Sequence, residues 1–456
     1  MVQGLRWNQT NLAAMTTHNR LTNTELPPSN RWQVTGRWLG SAGIASIAIG
    51  FSASTAAVNI GLILLLLGIL PEIRGLLRST PPAAVIIAIL QSTVLIIITV
   101  VANVRFPELS DHNWKHLEDL LIISGIPAVA VGWWLAHGGI TYPAILGLLS
   151  IGTGIKSIGT INWDAVIATP FLGRPLITAI NPNELAFISG ALLVGIASLL
   201  ISGNCTQNKS PLWRFVVIAA FSAIALCAGY LVVIAQSRAV VLGVLATLCF
   251  IAGARMWHTR KSAKGRRQTI VLLTVLVAIL CVISLSPLGK MATQRFGKLG
   301  ANIQTLMDND LDSISSNSEG IRLLLWREGL SHLPDAMILG HGPGAAPHII
   351  AQSTVPSLRH FNHFHNIWIH WLVTIGVLGT LGFAILFWKL LAISFQEAFS
   401  RAGGVCWPAA GLWIYFLIVS AAQLRINHPS GQAFLVLLSG MSYAAVYLRA
   451  PQPVTE

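Results

Sequence analysis

The sequence predicts an all-α protein, a polytopic membrane bundle of about twelve transmembrane helices with one large loop outside the membrane. Of its 456 residues, 54% are hydrophobic and only 10% are charged, whereas an ordinary globular domain carries about 25% charged residues. The mean hydropathy is +0.68. Apolar runs near the roughly 20 residues that a membrane-crossing helix needs recur along most of the chain. Outer-membrane barrels, which give only short alternating segments, are excluded.

Each predicted helix corresponds to one apolar run between polar or glycine-containing connections. These runs are 38–54, 56–70, 83–104, 119–137, 140–155, 183–203, 212–235, 238–254, 269–287, 366–393, 407–424 and 431–448. We expect a cytoplasmic tail at 1–37, one transmembrane bundle at 38–450 that includes an outer loop at 288–365, and a short cytoplasmic tail at 451–456. The first 30 residues lack the apolar core and cleavage site of a signal peptide.

Basic residues predict the orientation. The segment 255–268, RMWHTRKSAKGRRQ, carries six basic residues and no acid, so it is expected on the cytoplasmic side. Counting helices from it places both termini inside and the loop 288–365 outside.

The net charge of +13 does not indicate nucleic-acid binding, because the basic residues lie in short loops beside helices and do not form a groove. The five cysteines form no CxxC motif, and none lies in the outer loop, so we expect no disulfide.

The outer loop contains a short helix and two polar motifs. A capping box from Ser316 to Glu319 predicts a helix over about 317–332. The glycines of LGHGPG, 339–344, permit tight turns, but without a preceding strand they are no dinucleotide fingerprint. We interpret this motif as a flexible loop on the membrane surface. The carboxylates of DNDLD, 308–312, lack the supporting turn of a calcium loop, so we expect a solvated segment there.

Three arginines near the predicted outer surface are candidate functional residues, because an ionisable side chain at the edge of the hydrocarbon is costly to retain. Arg238 occupies a tight turn between two apolar helices, where the alternative is a side chain that snorkels to the surface. Arg322 lies one helical turn before Trp326, and the alternative is a surface ion pair or an amphipathic face on lipid. Arg174 is a weaker candidate in the outer connection 156–182.

His365 is the candidate proton acceptor. It lies at the start of a helix predicted from 366, where the positive end of the helix dipole and nearby arginines disfavour the imidazolium ion. A neutral imidazole is able to take a proton. The spacing alone does not separate His365 from His363 or His360, and an interfacial packing role is the alternative for each.

Arginine forks match the geometry of phosphate, so the cations predict a lipid-linked phosphate or diphosphate as the substrate. A transporter is the alternative from a different class, since polar residues at membrane depth also line transport pathways. Transporters usually place charged or broken helices near the bilayer midplane. Here nearly all charges lie at the ends of the predicted helices, which favours an enzyme.

An ordered set of motifs resembles a known family. SRAVVLG at 237–243, RLLLW at 322–326, LGHGPG at 339–344 and HFHNIWIHWLVTIGVLG at 363–379 are together similar to the O-antigen ligase (WaaL type) and Wzy polymerase superfamily of bacterial membrane glycosyltransferases. The resemblance covers about 150 residues in detail, from about 230 to 380. Many members have glycine where this chain has Ala239, a small departure.

The resemblance implies a GT-C-like bundle in the bacterial inner membrane with an active site facing the periplasm. It implies metal-independent, inverting transfer of an O-antigen glycan from undecaprenyl diphosphate to a sugar hydroxyl of lipid A-core, with no cofactor and no partner besides these substrates and membrane lipids. The catalytic histidine then falls on His365, because Asn366 follows it, and the diphosphate-binding arginines fall on Arg238 and Arg322. Arg174 and His363 are further donor contacts. A Wzy-type polymerase and a protein O-oligosaccharyltransferase are the alternatives within the superfamily.

Overall fold

The computed structural model describes residues 31–79, 82–137, 140–169, 177, 181–202, 210–259, 304–305, 318–400 and 407–447. In these segments the chain is almost entirely helical, and the one β-type pairing is an isolated bridge between Ile161 and Ile177. The all-α prediction is therefore confirmed for the part of the chain that the structure describes.

Sixteen α-helices make up the described segments. They are α1 (Arg31–Ala53), α2 (Thr55–Ile69), α3 (Ile73–Ser79), α4 (Pro82–Arg105), α5 (Ser110–Ile123), α6 (Ile126–His137), α7 (Tyr142–Thr160), α8 (Trp163–Ala168), α9 (Pro182–Ser202), α10 (Pro211–Ala235), α11 (Arg238–Thr259), α12 (Ser318–Ser331), α13 (Ala346–Ala351), α14 (Ile367–Ser400), α15 (Trp407–Ser420) and α16 (Pro429–Tyr447).

Within the described residues, seven continuous helical stretches are long and apolar enough to cross a membrane, which makes this a multi-pass membrane protein. Eleven of the twelve predicted segments coincide with helices, and the twelfth, 269–287, lies outside the described residues. The loop helix predicted at 317–332 is present as α12.

The predicted helix ends differ most from the structure in one segment. The segment expected at 119–137 begins at Ser110 and is divided into α5 and α6 at Gly125, whose φ is +130°. The first half of α5 is too polar to be recognised by hydropathy, yet Asn113 and Leu117 on one face of it are buried. Packing against the rest of the protein therefore defines this helix.

The core is built on close contacts between helices. α16 is buried along almost its whole length and packs against α6. α1 and α2 approach so closely that a Cβ at Gly43 would lie 2.7 Å from the carbonyl oxygen of Gly61. Small residues at such contacts let helix backbones pack tightly, which is the main source of association between helices in a membrane.

α14 is interrupted at Gly376, which has φ +67° and ψ −175° instead of helical angles. The segment 337–342 lies against this break and pairs with the backbone groups that the interruption releases. Four hydrogen bonds join the two segments: His341 N to Val373 O (2.9 Å), Gly342 N to Thr374 O (2.9 Å), Val377 N to Met337 O (2.9 Å) and Leu378 N to Ile338 O (3.1 Å). A helix break beside a membrane is stable only when its polar groups are paired in this way.

The interpretation of LGHGPG as a flexible surface loop is therefore wrong. Gly340 and Gly342 are buried and adopt φ of +73° and +113°, and a Cβ at Gly340 would lie 2.4 Å from the carbonyl oxygen of Thr374. On the other side, Gly344 N donates to Oδ1 of Asn113 on α5 (2.9 Å). The glycines are needed because this segment is packed between two helices.

Candidate functional site

Several helix ends meet at one end of the bundle. The connection between α15 and α16 reaches the turn between α10 and α11, where Gln423 Nε2 donates to Ser237 Oγ at 2.9 Å. Ser430 Oγ, near the start of α16, lies 3.4 Å from Glu184 Oε1, near the start of α9. The start of α14 lies at the same end, because Asn183 and His365 line one cavity.

His365 owes its position to the cap of α14. Asn366 is the capping residue, since its Oδ1 accepts hydrogen bonds from the backbone N–H groups of Trp368 (2.9 Å) and Ile369 (3.3 Å). His365 precedes the cap and has a φ of +54°, a left-handed conformation that costs a residue with a Cβ roughly 1–2 kcal/mol. Such strain persists where the surrounding structure imposes it, and it is concentrated at functional sites.

A cavity of about 460 Å³ opens beside His365 and the loop helix α12. It is lined by Asn183, Ser318, Ile321, Arg322, Ser357, His360, Phe361 and His365. Two residues that the sequence singled out, Arg322 and His365, therefore face the same space. α12 is held against the start of α14 near Gly329, where a Cβ would lie 3.0 Å from Ile369 and 3.1 Å from Phe364.

Arg238 joins this region through an ion pair. Its Nη2 lies 2.6 Å from Oε1 of Glu319 on α12, and its side chain is one third exposed. Glu319 and Arg322 are three residues apart on the same helix, so they share one face. Arg238 thus lies next to the cavity that holds Arg322, although it does not line it.

His363 lies beside His365, with 4.2 Å between the centroids of the two rings. Its Nδ1 contacts the side-chain oxygen of Asn362. Arg174 and the carboxylates of residues 308–312 lie outside the described residues.

Arg425 is a site residue that the sequence interpretation missed. It lies in the short connection between α15 and α16, its exposure is 7%, and its Nε donates to Gln423 Oε1 at 3.2 Å. The pattern that pointed to Arg238, an arginine in a tight connection between two apolar helices, also occurs in LRINHP at 424–429. The same criterion would have found it.

Burial and neighbouring positive charges act together on the imidazoles. Burial lowers the pKa of His365 to about 3, and the charges of His363, Arg322 and Arg425 act in the same direction. Burial also lowers the pKa of His363 to about 4, with His428 and Arg425 adding to the effect. Both rings are therefore neutral at pH 7 and carry a lone pair.

The guanidinium of Arg425 is affected by its surroundings too. Burial lowers its pKa to about 10, the charge of Arg322 adds to this effect, and the carboxylate of Glu184 opposes it. The group remains charged at pH 7. The region therefore combines permanently charged guanidinium groups with neutral imidazoles, a set suited to binding a phosphate-type anion and accepting one proton.

Elsewhere in the described segments, one group of side chains has the composition of a metal site. The ligand atoms of His332, Asp335 and His341 lie within 4.8 Å of one another, and none of these residues lines the cavity that contains His365.

Comparison with models of protein families gives a match over part of the chain. Residues 223–384 match the family model described as O-antigen ligase, and this segment contains Arg238, Arg322, His363 and His365 but not Arg174 or Arg425. The search of curated proteins found no match. The family match spans 162 of the 456 residues, and it supports a glycosyl-transfer enzyme of the ligase and polymerase kind.

Proposed function

Starting from membership of the O-antigen ligase and Wzy superfamily, which the family match supports, we propose that this protein is an O-antigen ligase. It transfers an O-antigen glycan from undecaprenyl diphosphate to a sugar hydroxyl of lipid A-core, without a metal ion, at the periplasmic face of the bacterial inner membrane. The observation that carries this proposal is the shared cavity of Arg322 and His365, with Arg238 and Arg425 beside it.

The arginines bind and stabilise the leaving group. When the acceptor oxygen attacks the anomeric carbon, the bond from that carbon to the diphosphate breaks, and its electron pair remains on the bridging oxygen. Burial is the main cause of the low pKa of His365, and the charges of Arg322 and Arg425 lower it further, so both arginines act on the same space. Fixed positive charges in a poorly hydrated site stabilise such developing charge strongly.

His365 accepts the proton of the attacking hydroxyl. In the free protein its pKa of about 3 keeps it neutral, but a group of this pKa is a weak base at neutral pH. A bound diphosphate places negative charge beside the ring, which favours the imidazolium form and raises the pKa. Donor binding therefore strengthens the base at the step where it is needed.

Glu319 holds Arg238 before the donor binds. The ion pair of 2.6 Å between them occupies the guanidinium fork that a phosphate oxygen would use. A diphosphate carries more negative charge than one carboxylate, so it competes for Arg238.

The rest of the cavity lining is both apolar and polar. Ile321 and Phe361 offer apolar contacts for the carrier lipid, while Asn183 and Ser357 offer polar contacts for the sugar.

Transfer by the purified protein tests the proposal. The protein in detergent is given a lipid-diphosphate-linked glycan and lipid A-core, with EDTA present, and glycosylated lipid A-core is expected as the product. Arg327→Ala is the matched control for Arg322→Ala, because Arg327 is exposed on the same helix. It should keep its activity while Arg322→Ala loses it.

A second reaction without lipid A-core separates the ligase from the polymerase. Elongated glycans formed from donor alone would replace the ligase proposal by a polymerase. Transfer that occurs only after a divalent metal is added would contradict the metal-independent mechanism. No transfer to any acceptor, in protein whose helical content is intact, would reject the proposed activity altogether.

A further inference from the structure

A cluster of side chains that can bind a metal lies just past the C-terminal end of α12, away from the cavity. His332 follows the last turn of α12, Asp335 lies in the 3-10 turn Pro334–Ala336, and His341 lies in the segment that pairs with the break in α14. One ligand atom from each residue lies within 4.8 Å of the other two. Ten residues separate His332 from Arg322, which corresponds to about 15 Å along a helix, so the cluster is separate from the proposed reaction centre.

We propose that His332, Asp335 and His341 bind a divalent transition-metal ion of the Zn²⁺ type. Two imidazoles and one carboxylate are a ligand set that zinc and related ions use, with a further position left for water or another ligand. Asp335 is exposed and His332 is partly exposed, whereas His341 is buried. An ion can therefore enter from the solvent side and reach the buried histidine.

The imidazole of His341 is held in an orientation that suits coordination. Its Nδ1 lies 3.3 Å from the carbonyl oxygen of Val373, and when this nitrogen donates to the carbonyl, Nε2 keeps its lone pair. Its ring also stacks on Phe106, with 5.8 Å between the ring centroids. Metal-bound histidines usually have such a partner on the second nitrogen, which fixes both the tautomer and the ring.

The other two ligands are also supported. Oε1 of Glu328 lies 3.4 Å from Nε2 of His332, while the other oxygen of Glu328 accepts a hydrogen bond from Ser353 at 2.9 Å. The backbone carbonyl of Asp335 accepts a hydrogen bond from Arg105 Nη2 at 2.8 Å. The guanidinium adds positive charge beside the site, and the carboxylates of Asp335 and Glu328 offset it.

A bound ion would add a cross-link between two parts of the protein that already pack against each other. His332 and Asp335 move with the end of α12, and His341 is bonded to the broken region of α14. The metal site would therefore fix the loop helix that carries Arg322 relative to the helix that follows His365. Its role is positional, and transfer should still proceed in EDTA, because the four backbone hydrogen bonds between segment 337–342 and α14 do not depend on the ion.

Metal binding to protein without a polyhistidine tag tests this proposal, and it requires no assay of transfer. After treatment with a chelator and its removal, Zn²⁺ binding is measured by equilibrium dialysis with elemental analysis, and the Tm is measured with and without Zn²⁺. We expect one high-affinity ion per chain and a higher Tm in its presence. His332→Ala and Asp335→Ala should each weaken binding by about 100-fold or more, since even the substitution of second-shell groups typically costs 10- to 100-fold.

His348→Ala is the matched control, because His348 is an exposed histidine of the same loop that is not part of the cluster. It should bind Zn²⁺ as the wild type does. Because the Asp335 side chain is exposed, Asp335→Ala is expected to fold even if His332→Ala does not. The proposal would be overturned if Asp335→Ala bound Zn²⁺ as tightly as the wild type, or if His348→Ala lost as much affinity for Zn²⁺ as Asp335→Ala.

Discussion

Two buried regions of this protein handle polar groups differently. Between α14, α15 and α16, neutral groups satisfy one another: Trp413 Nε1 donates to Ser442 Oγ at 2.9 Å, and Ser394 Oγ lies 2.8 Å from the same oxygen. At the cavity end, burial lowers the pKa of both His365 and Arg425, and the charge of Arg322 lowers both further. The three groups of the first region are neutral and pair with one another, whereas the second region contains buried guanidinium charge.

This difference predicts which substitutions reduce stability and which reduce activity. Buried neutral networks with all partners present stabilise a single packed arrangement. A concentration of buried positive charge is costly until an anion balances it. The carboxylates of Glu319 and Glu184 balance part of that charge, and a diphosphate would balance more. We therefore expect substitutions at the cavity end to reduce transfer, and substitutions in the neutral network to reduce the free energy of unfolding.

The largest effect is expected from His365→Ala. Removal of the proton acceptor should lower kcat by about 10²- to 10⁴-fold, whereas the Tm should fall only through the loss of the ring contacts with Phe361 and His363. The measurement is kcat for glycan transfer at saturating donor. His360→Ala and His363→Ala serve as comparisons. If either loses more activity than His365→Ala, the base is a different histidine.

Arg322→Lys should have the next largest effect. Lysine keeps the positive charge but lacks the planar fork that binds two phosphate oxygens, so we expect kcat to fall by about 10²-fold, the scale of losing one donor to a developing charge. Arg327→Lys, on the exposed side of the same helix, should leave kcat unchanged. Full activity in Arg322→Lys would show that only the charge at this position matters.

The pH dependence of kcat/KM tests the charge of the site, because this parameter reports ionisations of the free enzyme. His365 must be neutral to accept a proton, and its folded pKa is about 3, so kcat/KM should stay nearly constant as the pH falls from 7 to 5. An ordinary histidine of pKa 6.5 would be only about 3% neutral at pH 5. A steep loss with a midpoint near 6.5 would contradict the buried environment of this ring.

Arg425→Met sharpens this test. Burial is the main cause of the low pKa of His365, but the charge of Arg425 contributes, so its removal should raise that pKa and move the acidic limit of kcat/KM to higher pH. The shape of the profile is the readout, since the overall rate also falls if Arg425 binds the diphosphate. A profile of unchanged shape would show that Arg425 does not act on His365.

Much of the fold and part of the site were predictable from the sequence, because both depend on local signals. Apolar run length located the helices, and the polar N-terminal part of α5 was missed because only its packing makes it helical. His365 was selected over His363 and His360 only by the family resemblance, because Asn366 follows it, and local signals did not distinguish the three histidines. Arg238 and Arg322 were found as charges in apolar surroundings, and Arg425 was overlooked although it met the same criterion.

The packing of LGHGPG against the break in α14 could not be predicted locally. Gly376 lies within an apolar run that has the appearance of one continuous helix, and a single glycine is tolerated in such a run. The break becomes stable only because segment 337–342, some 35 residues earlier in the chain, supplies four backbone partners. The same contact orients His341, so the proposed metal cluster was invisible in the sequence for the same reason.

Ser442→Ala is expected to give the smallest effect, and it tests the other side of the comparison. The change removes the partner of the buried indole N–H of Trp413 and of Ser394 Oγ, which should lower the free energy of unfolding by about 1–3 kcal/mol. Ser150→Ala is the control, because the Ser150 hydroxyl bonds to a carbonyl of its own helix, that of Leu146, and should cost less. Thermal unfolding in detergent measures both, and kcat per folded molecule should remain at the wild-type value. A loss of kcat in Ser442→Ala without a loss of stability would mean that the neutral network takes part in transfer, and the division between the two regions would fail.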